Sequence, residues 1–442
     1  MVTAVVSVAL LAWALLTSDK VGSESDGGLA SNAGGTSTTT EPWGDPRAES
    51  PTRAATESEL AGLSFVDVTE QVGIRGDHAG RAVAGAEDMS GGAAVGDIDG
   101  DGDLDVFITR VGAPNQLYRN DRGLFADVTE EAGVGGDPDG SYAGAVFVDV
   151  DDDGALDLLV TSVAFSDLLL YRNDGNGRFD ALPGSGGLVR AVPPGDDQQV
   201  FGATFSDWDR DGDLDLLVLE WFTAPLESTV ETVDSRYRTH DQCARGEALA
   251  VDRAAGELAV PRSSATRFYR NDGGRFVDVG TLGIDVDAIA AFAATFTDLD
   301  GDGWPDLLIV GDFCTSGAYR NEGGRRFVEV TDVLGVGTDE NGMTSVVEDF
   351  DGDGRLDWFI SGISFPGTPP GECPTRPFTI GCTGNRLYLA RADGTFEDAT
   401  ESYGVRDAFW GWGGVGQDLN NDGRRDLAVA AGYLASRGAP DA

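Results

Sequence analysis

The sequence predicts an all-β fold, a β-propeller of four-stranded antiparallel blades, and three observations support this prediction. A nine-residue acidic pattern occurs six times in the 442 residues. Its copies begin at residues 97, 149, 207, 298, 349 and 418, so the intervals are 52, 58, 91, 51 and 69 residues. Each copy lies between short segments with the composition of β-strands. A repeat of this length that contains several strands is typical of propeller blades rather than helical solenoids.

The repeated pattern reads Asp-x-Asp/Asn-x-Asp-Gly-x-x-Asp, which is the spacing of a metal-binding loop. Oxygens at positions 1, 3, 5 and 9 can converge only if the loop curls tightly, and the glycine at position 6 permits this turn because it tolerates positive φ. The residue type at position 7 varies freely, so we expect this residue to contribute its backbone carbonyl. In the order of positions 1, 3, 5, 7 and 9, the predicted ligands are Asp97, Asp99, Asp101, Asp103 and Asp105; Asp149, Asp151, Asp153, Ala155 and Asp157; Asp207, Asp209, Asp211, Asp213 and Asp215; Asp298, Asp300, Asp302, Trp304 and Asp306; Asp349, Asp351, Asp353, Arg355 and Asp357; and Asp418, Asn420, Asp422, Arg424 and Asp426.

The predicted ligand is calcium. Hard carboxylate and carbonyl oxygens without Cys or His select Ca²⁺ and, less well, Mg²⁺. Without a cation, three or four carboxylates within a few ångström would repel one another strongly. We therefore expect about six structural Ca²⁺ ions, one in each loop. The chain holds only two histidines, His78 and His240, which disfavours histidine-based triads and histidine-rich zinc sites.

The loops have two alternative interpretations. An EF-hand needs a bidentate Glu at position 12 and a helix on each side. Position 12 here is always apolar, which excludes the EF-hand: Ile108, Val160, Val218, Ile309, Ile360 and Val429. The second alternative is a set of acidic surface turns that bind no metal. The residue at position 2 is also always apolar, and we expect its side chain to anchor each loop in a hydrophobic core.

Each repeat contains four strand-like segments in a fixed order. A strand of small residues comes first, and we place it innermost because blades crowd around a narrow axis. An apolar strand follows the loop, then a Tyr-Arg-Asn strand, a Gly-bearing turn and a Phe-led strand. Examples in that order are Ala143–Val148, Leu156–Thr161 and Tyr171–Asn173 in the second repeat, and Phe125–Thr129, Phe276–Val279, Phe327–Thr331 and Phe396–Thr400 among the Phe-led strands.

The two ends of the repeat region suggest that the ring closes. The Phe-led segment Phe65–Thr69 precedes the first loop, and we expect it to complete the last blade, which protects strand edges. Six blades are visible, and seven are possible if the chain is incomplete. The long intervals are explained by insertions between the second and third strands of a blade, at about residues 223–265 and 362–384.

These loops resemble FG-GAP (VCBS) repeats, the calcium-loop propeller blades of integrin α subunits. The Tyr-Arg-Asn, Phe-x-Asp-Val-Thr and Trp410-Gly411-Trp412-Gly413 signatures look more like the cartilage acidic protein (ASPIC/UnbV) group. The resemblance covers roughly residues 62–433. It implies a secreted or surface-exposed propeller that calcium stabilises, usually of seven blades.

The charge balance bears on the partners. The chain carries 31 basic and 76 acidic residues, a formal net charge of -45. A nucleic-acid binder needs the opposite sign, and an anionic membrane surface is disfavoured for the same reason. Six calcium ions would reduce the net charge of -45 to -33, which still favours solubility and basic partners.

The termini and cysteines predict a location outside the cytosol. Residues 1–20 begin with the apolar run Met1–Thr17 and read as a signal peptide or a membrane anchor, 21–60 as a disordered Ser/Gly/Thr-rich linker, and 61–442 as the propeller. Cys373 with Cys382 and Cys243 with Cys314 is one of three possible disulfide connectivities. Disulfides and millimolar calcium both predict a secreted, cell-surface or periplasmic protein.

The function expected from these features is that of a non-catalytic binding or adhesion module for an extracellular protein or glycan. The alternative is a polysaccharide-acting enzyme (a lyase or hydrolase) or a lectin on the same scaffold. The membrane would be reached only through an N-terminal anchor, and we expect a monomer. Three further features have two interpretations each. Trp410 and Trp412 are interpreted either as a sugar-stacking platform or as blade packing, and His240 beside Asp241 either as a catalytic group or as an exposed loop histidine. Arg75-Gly76-Asp77 spells an integrin-recognition tripeptide, but about half such a match is expected by chance in this composition, so it means little.

Overall fold

A computed structural model of the protein describes residues 65–76, 78–80, 87, 90–164, 168–188, 198–221, 266–286, 289–312, 314–364 and 383–432, apart from single positions within these limits. The predicted leader, the linker and nearly all of both insertions lie outside these residues, as do His240, Asp241 and Asp77. Within the described ranges, no helix has the length and apolar character needed to span a bilayer.

The protein is an all-β chain of antiparallel sheets arranged as propeller blades, as the sequence predicts. The first three sheets contain β1 (Ala93–Gly96), β2 (Asp105–Ile108), β3 (Gln116–Asn120) and β4 (Phe125–Asp127); β5 (Tyr142–Val148), β6 (Asp157–Ala164), β7 (Leu169–Asn173) and β8 (Phe179–Ala181); and β9 (Gln198–Ser206), β10 (Asp215–Glu220), β11 (Arg267–Asn271) and β12 (Phe276–Gly280). The next three contain β13 (Ala290–Thr297), β14 (Asp306–Asp312), β15 (Gly317–Asn321) and β16 (Phe327–Glu329); β17 (Thr344–Glu348), β18 (Asp357–Ser361), β19 (Arg386–Ala390) and β20 (Phe396–Asp398); and β21 (Gly411–Gln417) and β22 (Asp426–Ala431).

Strand order within a sheet follows the chain, so each blade is a meander. The ends of β6 and β9 also pair, through Val163 with Gln199, and this joins the second and third blades into one larger sheet. Among the residues that the structure describes, four short helices follow outer strands or the N-terminal segment: α1 (Thr69–Val72), α2 (Thr129–Ala132), α3 (Thr331–Leu334) and α4 (Thr400–Tyr403). A 3-10 turn, Pro183–Gly187, follows β8.

The core consists of apolar layers between successive blades. In the first layer, Phe107 and Leu117 of the first blade pack with Phe147 and Leu158 of the second, and the rings of Phe107 and Phe147 lie 6.4 Å apart. Equivalent layers occupy every later pair of neighbouring blades. Burial of these large side chains supplies the main stabilisation of the fold.

The innermost strands approach closely enough to require small residues. A Cβ atom added at Gly202 would lie 2.4 Å from the carbonyl oxygen of Phe292 in the next blade. At Gly144 the corresponding distance to the carbonyl oxygen of Phe201 would be 2.7 Å. The prediction that small residues mark the inner strand is therefore confirmed, and its physical reason is this backbone-to-backbone contact.

The N-terminal segment differs from the expectation. Phe65–Val68 has no strand pairing within the described structure, and Phe65 and Val66 are 69% and 73% exposed. Thr69 begins α1, after which Gly73 lies against the carbonyl oxygen of Phe125 in the first blade, as Gly133 after α2 lies against that of Phe179 in the second. The segment thus enters the first blade in the same way as the connection from the first blade enters the second. Ring closure stays a prediction.

The two insertions join the strands that the sequence assigned to them. One lies between β10 and β11 and the other between β18 and β19, which are the second and third strands of their blades. Cys314, in the corresponding connection of the fourth blade, is disulfide-bonded. The other three cysteines lie outside the described residues, so the pairing itself stays a prediction.

Candidate metal centres

Each of the six acidic loops connects the first and second strands of its own repeat. The last residue of each inner strand pairs with the position-9 aspartate, for example Gly96 with Asp105 and Ser206 with Asp215. The eight intervening residues therefore begin and end at one strand pair, and this brings their side chains together. In five loops three carboxylates offer oxygens within 4.8 Å of one another: Asp97, Asp99 and Asp101; Asp149, Asp151 and Asp157; Asp207, Asp209 and Asp215; Asp298, Asp300 and Asp302; and Asp349, Asp351 and Asp353.

The sixth loop has the same backbone arrangement although Asn420 replaces one carboxylate. The N–H of Asp422 donates to Asp418 Oδ1 at 3.0 Å and to Asn420 Oδ1 at 2.8 Å. The N–H of Gly423 donates to Asp418 Oδ2 at 2.8 Å. The same folding of the loop around the position-1 carboxylate occurs in the first loop, where Asp97 accepts from Gly100, Asp101 and Gly102.

Positive φ occurs at two positions of every loop, not only at the predicted glycine of position 6. The position-6 glycines have φ between 86° and 105°. The residue at position 4 is also left-handed, and in three loops it is not glycine: Gly100, Asp152, Arg210, Gly301, Gly352 and Asn421. The left-handed conformation at position 4 is not among the features predicted from the sequence. The residue types at position 4 could have predicted this conformation: glycine occurs there in three loops and Asp or Asn in two, and these residue types tolerate a left-handed conformation best.

A backbone hydrogen bond fixes the position of the residue at position 7. In all six loops its N–H donates to the position-5 carboxylate, with distances from 2.8 Å for Asp103 to 3.0 Å for Ala155 and Asp213. The variable side chain takes no part in this bond, which explains why residues as different as alanine and tryptophan occur here. The assignment of the position-7 carbonyl as a metal ligand stays a prediction.

The position-9 aspartate anchors the loop to the blade. Asp157, which has no exposed surface, accepts from the N–H of Val150 at position 2 and from the N–H of Asn173 on the third strand, at 3.1 and 2.8 Å. Burial raises the pKa of Asp105, Asp157 and Asp306 to about 6, and that of Asp215 to about 8. Burial also raises the pKa of Asp357. A cation in the loop would favour the charged form of each carboxylate.

The residues present fit a divalent cation. Three buried carboxylate oxygens, one in each of the first three loops, have no hydrogen-bond donor: Asp99 Oδ1, Asp151 Oδ1 and Asp215 Oδ2. Buried polar atoms nearly always have a bonding partner in folded proteins, and a metal ion would supply the missing partner of each of these oxygens. The donor set consists of hard oxygens only, which is the preference of Ca²⁺ and Mg²⁺.

One arginine contacts the second loop. Arg172, the middle residue of a Tyr-Arg-Asn strand, places Nη2 2.5 Å from Asp151 Oδ2 and 3.1 Å from Asp153 Oδ2. This guanidinium partly neutralises the loop. The matching Arg119 of the first blade pairs instead with Asp121, outside the loop. The contact between the central arginine of this signature and the loop is not predicted from the sequence.

A row of aromatic rings lies at the blade ends opposite the acidic loops. The rings of Phe201, Phe292 and Trp412 belong to inner strands of three different blades, and Trp221 follows β10. Phe292 lies 5.1 Å from Phe201, 5.5 Å from Trp221 and 6.1 Å from Trp412. Trp410 and Trp412 stack on each other at 6.1 Å. Because Phe292 and Trp412 are two blades apart, the row crosses the propeller axis, and its Trp side chains are only partly buried.

The comparisons with known proteins agree with the repeat pattern. A family model described as an FG-GAP-like repeat matches residues 97–160, 149–218, 256–309 and 298–360, which together make up just over half of the chain. No curated protein matches the chain. Among solved structures the chain is similar to a thermostable family-43 glycoside hydrolase, with 9% identity over 69% of this chain and 93% of that chain and a TM-score of 0.31. A likeness this low carries no argument about activity.

Proposed function

This chain belongs to the FG-GAP-like repeat family, and from that premise we propose that it is a calcium-binding β-propeller. Its role is that of a secreted or surface-exposed, non-catalytic module that binds a protein or a glycan. The observation that carries the calcium assignment is the convergence of three carboxylates within 4.8 Å in five separate loops. Calcium takes six to eight oxygen ligands, and five oxygen-bearing residues per loop with added water match that number.

Calcium in these loops would be structural. It would neutralise the carboxylates and fix both ends of the hairpin between the first two strands of each blade, because the position-1 and position-9 residues flank that hairpin. An extracellular setting supplies calcium at the concentration such loops need, and the disulfide at Cys314 supports the same location.

The ligand-binding surface that the geometry favours is the aromatic row at the axis. Partly buried tryptophans offer flat apolar faces, which are suited to sugar rings and to basic side chains. Asp312 lies beside the row and accepts from Trp221 Nε1 at 3.1 Å. The overall negative charge favours neutral or basic ligands over acidic ones.

Calorimetric titration of the metal-free chain with calcium, and separately with magnesium, tests the metal assignment. We expect about six equivalents of bound calcium and weaker binding of magnesium. Absence of calcium binding would overturn the proposal. A glycan and polysaccharide array, scored for both retention and product release, then separates a binding module from the alternative of a polysaccharide-acting enzyme. Trp412→Ala is the matched variant, because it removes the ring between Phe292 and Trp410.

A further inference from the structure

The first three acidic loops are each covered by the next blade. The hairpin turn between the third and fourth strands of that blade lies against the position-3 aspartate of the loop. A Cβ atom added at Gly177 would lie 3.7 Å from Asp99 Cβ, and one at Gly274 would lie 3.1 Å from Asp151 Cβ. At Gly324 the distance to Asp209 Cβ would be 2.8 Å. Three turns from three blades thus contact three predicted ligands.

The asparagine that precedes each turn forms the second cross-blade contact. Its side-chain Nδ2 donates to the position-2 carbonyl of the preceding blade's loop. These distances are 2.8 Å from Asn173 to Ile98, 2.7 Å from Asn271 to Val150 and 2.9 Å from Asn321 to Trp208. All three asparagines are at most 2% exposed.

The same asparagines are tied to their own loops. The backbone N–H of Asn173 donates to Asp157, that of Asn271 to Asp215 and that of Asn321 to Asp306, at 2.7–2.8 Å. Each asparagine therefore contacts the position-9 carboxylate of one loop and the position-2 carbonyl of the loop before it. These contacts link the first four loops in order, and inside the third loop the link runs through the chain itself, because Asp215 Oδ2 accepts no hydrogen bond.

The series ends at the fifth blade. Ala390 occupies the position of the asparagine, and a Cβ atom added at Gly394 in the following turn would meet nothing within 4 Å. The fourth loop accordingly has no cover within the described structure, and Asp298, Asp300 and Asp302 are all exposed. The described part of the sixth sheet consists of β21 and β22, so no equivalent turn covers the fifth loop there.

Burial of the loops follows the same division. The position-2 side chains of the first three loops, Ile98, Val150 and Trp208, are 2–4% exposed, whereas those of the other three are only partly buried. The three buried carboxylate oxygens without a donor also belong to the first three loops. Cover by the next blade therefore buries the first three loops and leaves one carboxylate oxygen in each of them enclosed without a donor.

We propose that the calcium sites form two classes: three tight sites in loops 1–3, which the asparagine–turn contact of the following blade pre-organises and links in series, and three weaker, independent sites in loops 4–6. This inference rests on the proposed calcium-binding function. A covered loop has a lower local dielectric, which strengthens its attraction for a cation, and its backbone is already held in place, which reduces the ordering cost of binding.

The test is calcium titration of the full chain by calorimetry, with Asn271→Ala and the matched control Asn120→Ala. Asn120 makes the same bonds within its blade, from Nδ2 to Leu104 and from the N–H of Gly123 to Oδ1, but the described structure gives its side chain no cross-blade bond. We expect two classes of about three sites whose affinities differ by about tenfold or more. Asn271→Ala should move one site from the tight to the weak class, and Asn120→Ala should leave the division unchanged.

Ala390→Asn is the complementary variant, because it restores the missing donor and should add a fourth tight site. Circular dichroism in saturating calcium checks that each variant is folded. If Asn271→Ala does not fold, Ala390→Asn still tests the inference. Six equivalent sites in the unmodified chain, or equal effects of Asn271→Ala and Asn120→Ala, would overturn this inference while leaving calcium binding intact. Absence of any calcium binding would instead overturn the proposed function.

Discussion

Asn271 and Val150 are 121 residues apart in the chain, yet Nδ2 of Asn271 donates a 2.7 Å hydrogen bond to the carbonyl oxygen of Val150. This bond joins the third blade to the acidic loop of the second. It accounts for the asparagine of the Tyr-Arg-Asn signature in the second, third and fourth blades, where the same side chain bonds to the preceding loop. The asparagine is a structural bridge between blades, so the fold and the predicted metal sites depend on the same side chain.

Replacement of a bridging asparagine should destabilise the fold. Asn173→Ala leaves the buried carbonyl oxygens of Ile98 and Leu156 without their Nδ2 donor. Buried unsatisfied groups cost about 1–3 kcal/mol each, so the free energy of unfolding should fall by about 3 kcal/mol. Asn120→Ala, where the side chain is partly exposed, should cost about 1 kcal/mol. Urea denaturation at fixed calcium measures both, and equal losses would contradict a cross-blade role.

Removal of the metal should lower stability through many sites at once. A site occupied at a hundred times its Kd adds about 2.7 kcal/mol to the free energy of unfolding. EDTA should therefore lower the melting temperature sharply and added calcium should restore it. Asp101→Ala and Asp302→Ala should each reproduce part of the loss. Asp180→Asn, which removes an exposed carboxylate on β8, is the control. A melting temperature insensitive to EDTA would exclude a structural metal.

The metal-free protein should lose stability as the pH rises. Burial raises the pKa of Asp105, Asp157 and Asp306 to about 6 and that of Asp215 to about 8, above the ordinary aspartate value that the unfolded chain retains. The folded state then binds protons that the unfolded state releases. The associated stability is present at acid pH and is lost as the pH rises through 6 and then 8.

Melting curves in EDTA between about pH 5 and pH 8.5 measure this dependence. Asp215→Asn, which imitates the protonated form, should remove the loss at the alkaline end. Excess calcium should reverse the slope, because the metal binds the deprotonated ligands. Metal-free melting temperatures that rise with pH in this range would contradict the prediction.

Arg172 should compete with calcium at the second loop. Its guanidinium contacts Asp151 and Asp153, and the cation must displace it. Because the guanidinium is half-exposed, solvent screens this ion pair, so Arg172→Gln should tighten one calcium site only modestly, by up to about fivefold. The same change should lower the melting temperature in EDTA. Arg119→Gln, whose arginine pairs with Asp121, is the control and should leave every calcium affinity unchanged.

The sequence predicts the local features of this protein well, because they depend on residues close together in the chain. The convergence of Asp97, Asp99 and Asp101 follows from alternate spacing around a glycine turn, and the strand order within a blade follows from short connections. The contact between Asn271 and Val150 could not be predicted, since nothing local reveals which side chain of one repeat reaches the backbone of another. The left-handed conformation of Arg210 was hidden for a different reason, because the geometry of the loop imposes it at position 4 on a residue type that rarely adopts it.

The turn of the fourth blade offers a matched pair of substitutions that isolates the cross-blade contact. Gly323 and Gly324 have φ of 66° and 74°, so alanine at either position carries a similar backbone strain of about 1 kcal/mol. Only Gly324 lies against the third loop, where a Cβ atom would be 2.6 Å from Asp209 Cα, whereas one at Gly323 would meet nothing within 4 Å. Gly324→Ala should therefore separate the turn from the loop, lower the free energy of unfolding by about 2 kcal/mol more than Gly323→Ala and weaken one calcium site. Paired denaturation and calcium titration of the two variants measure this difference. If both variants behave alike, the turn does not support the loop.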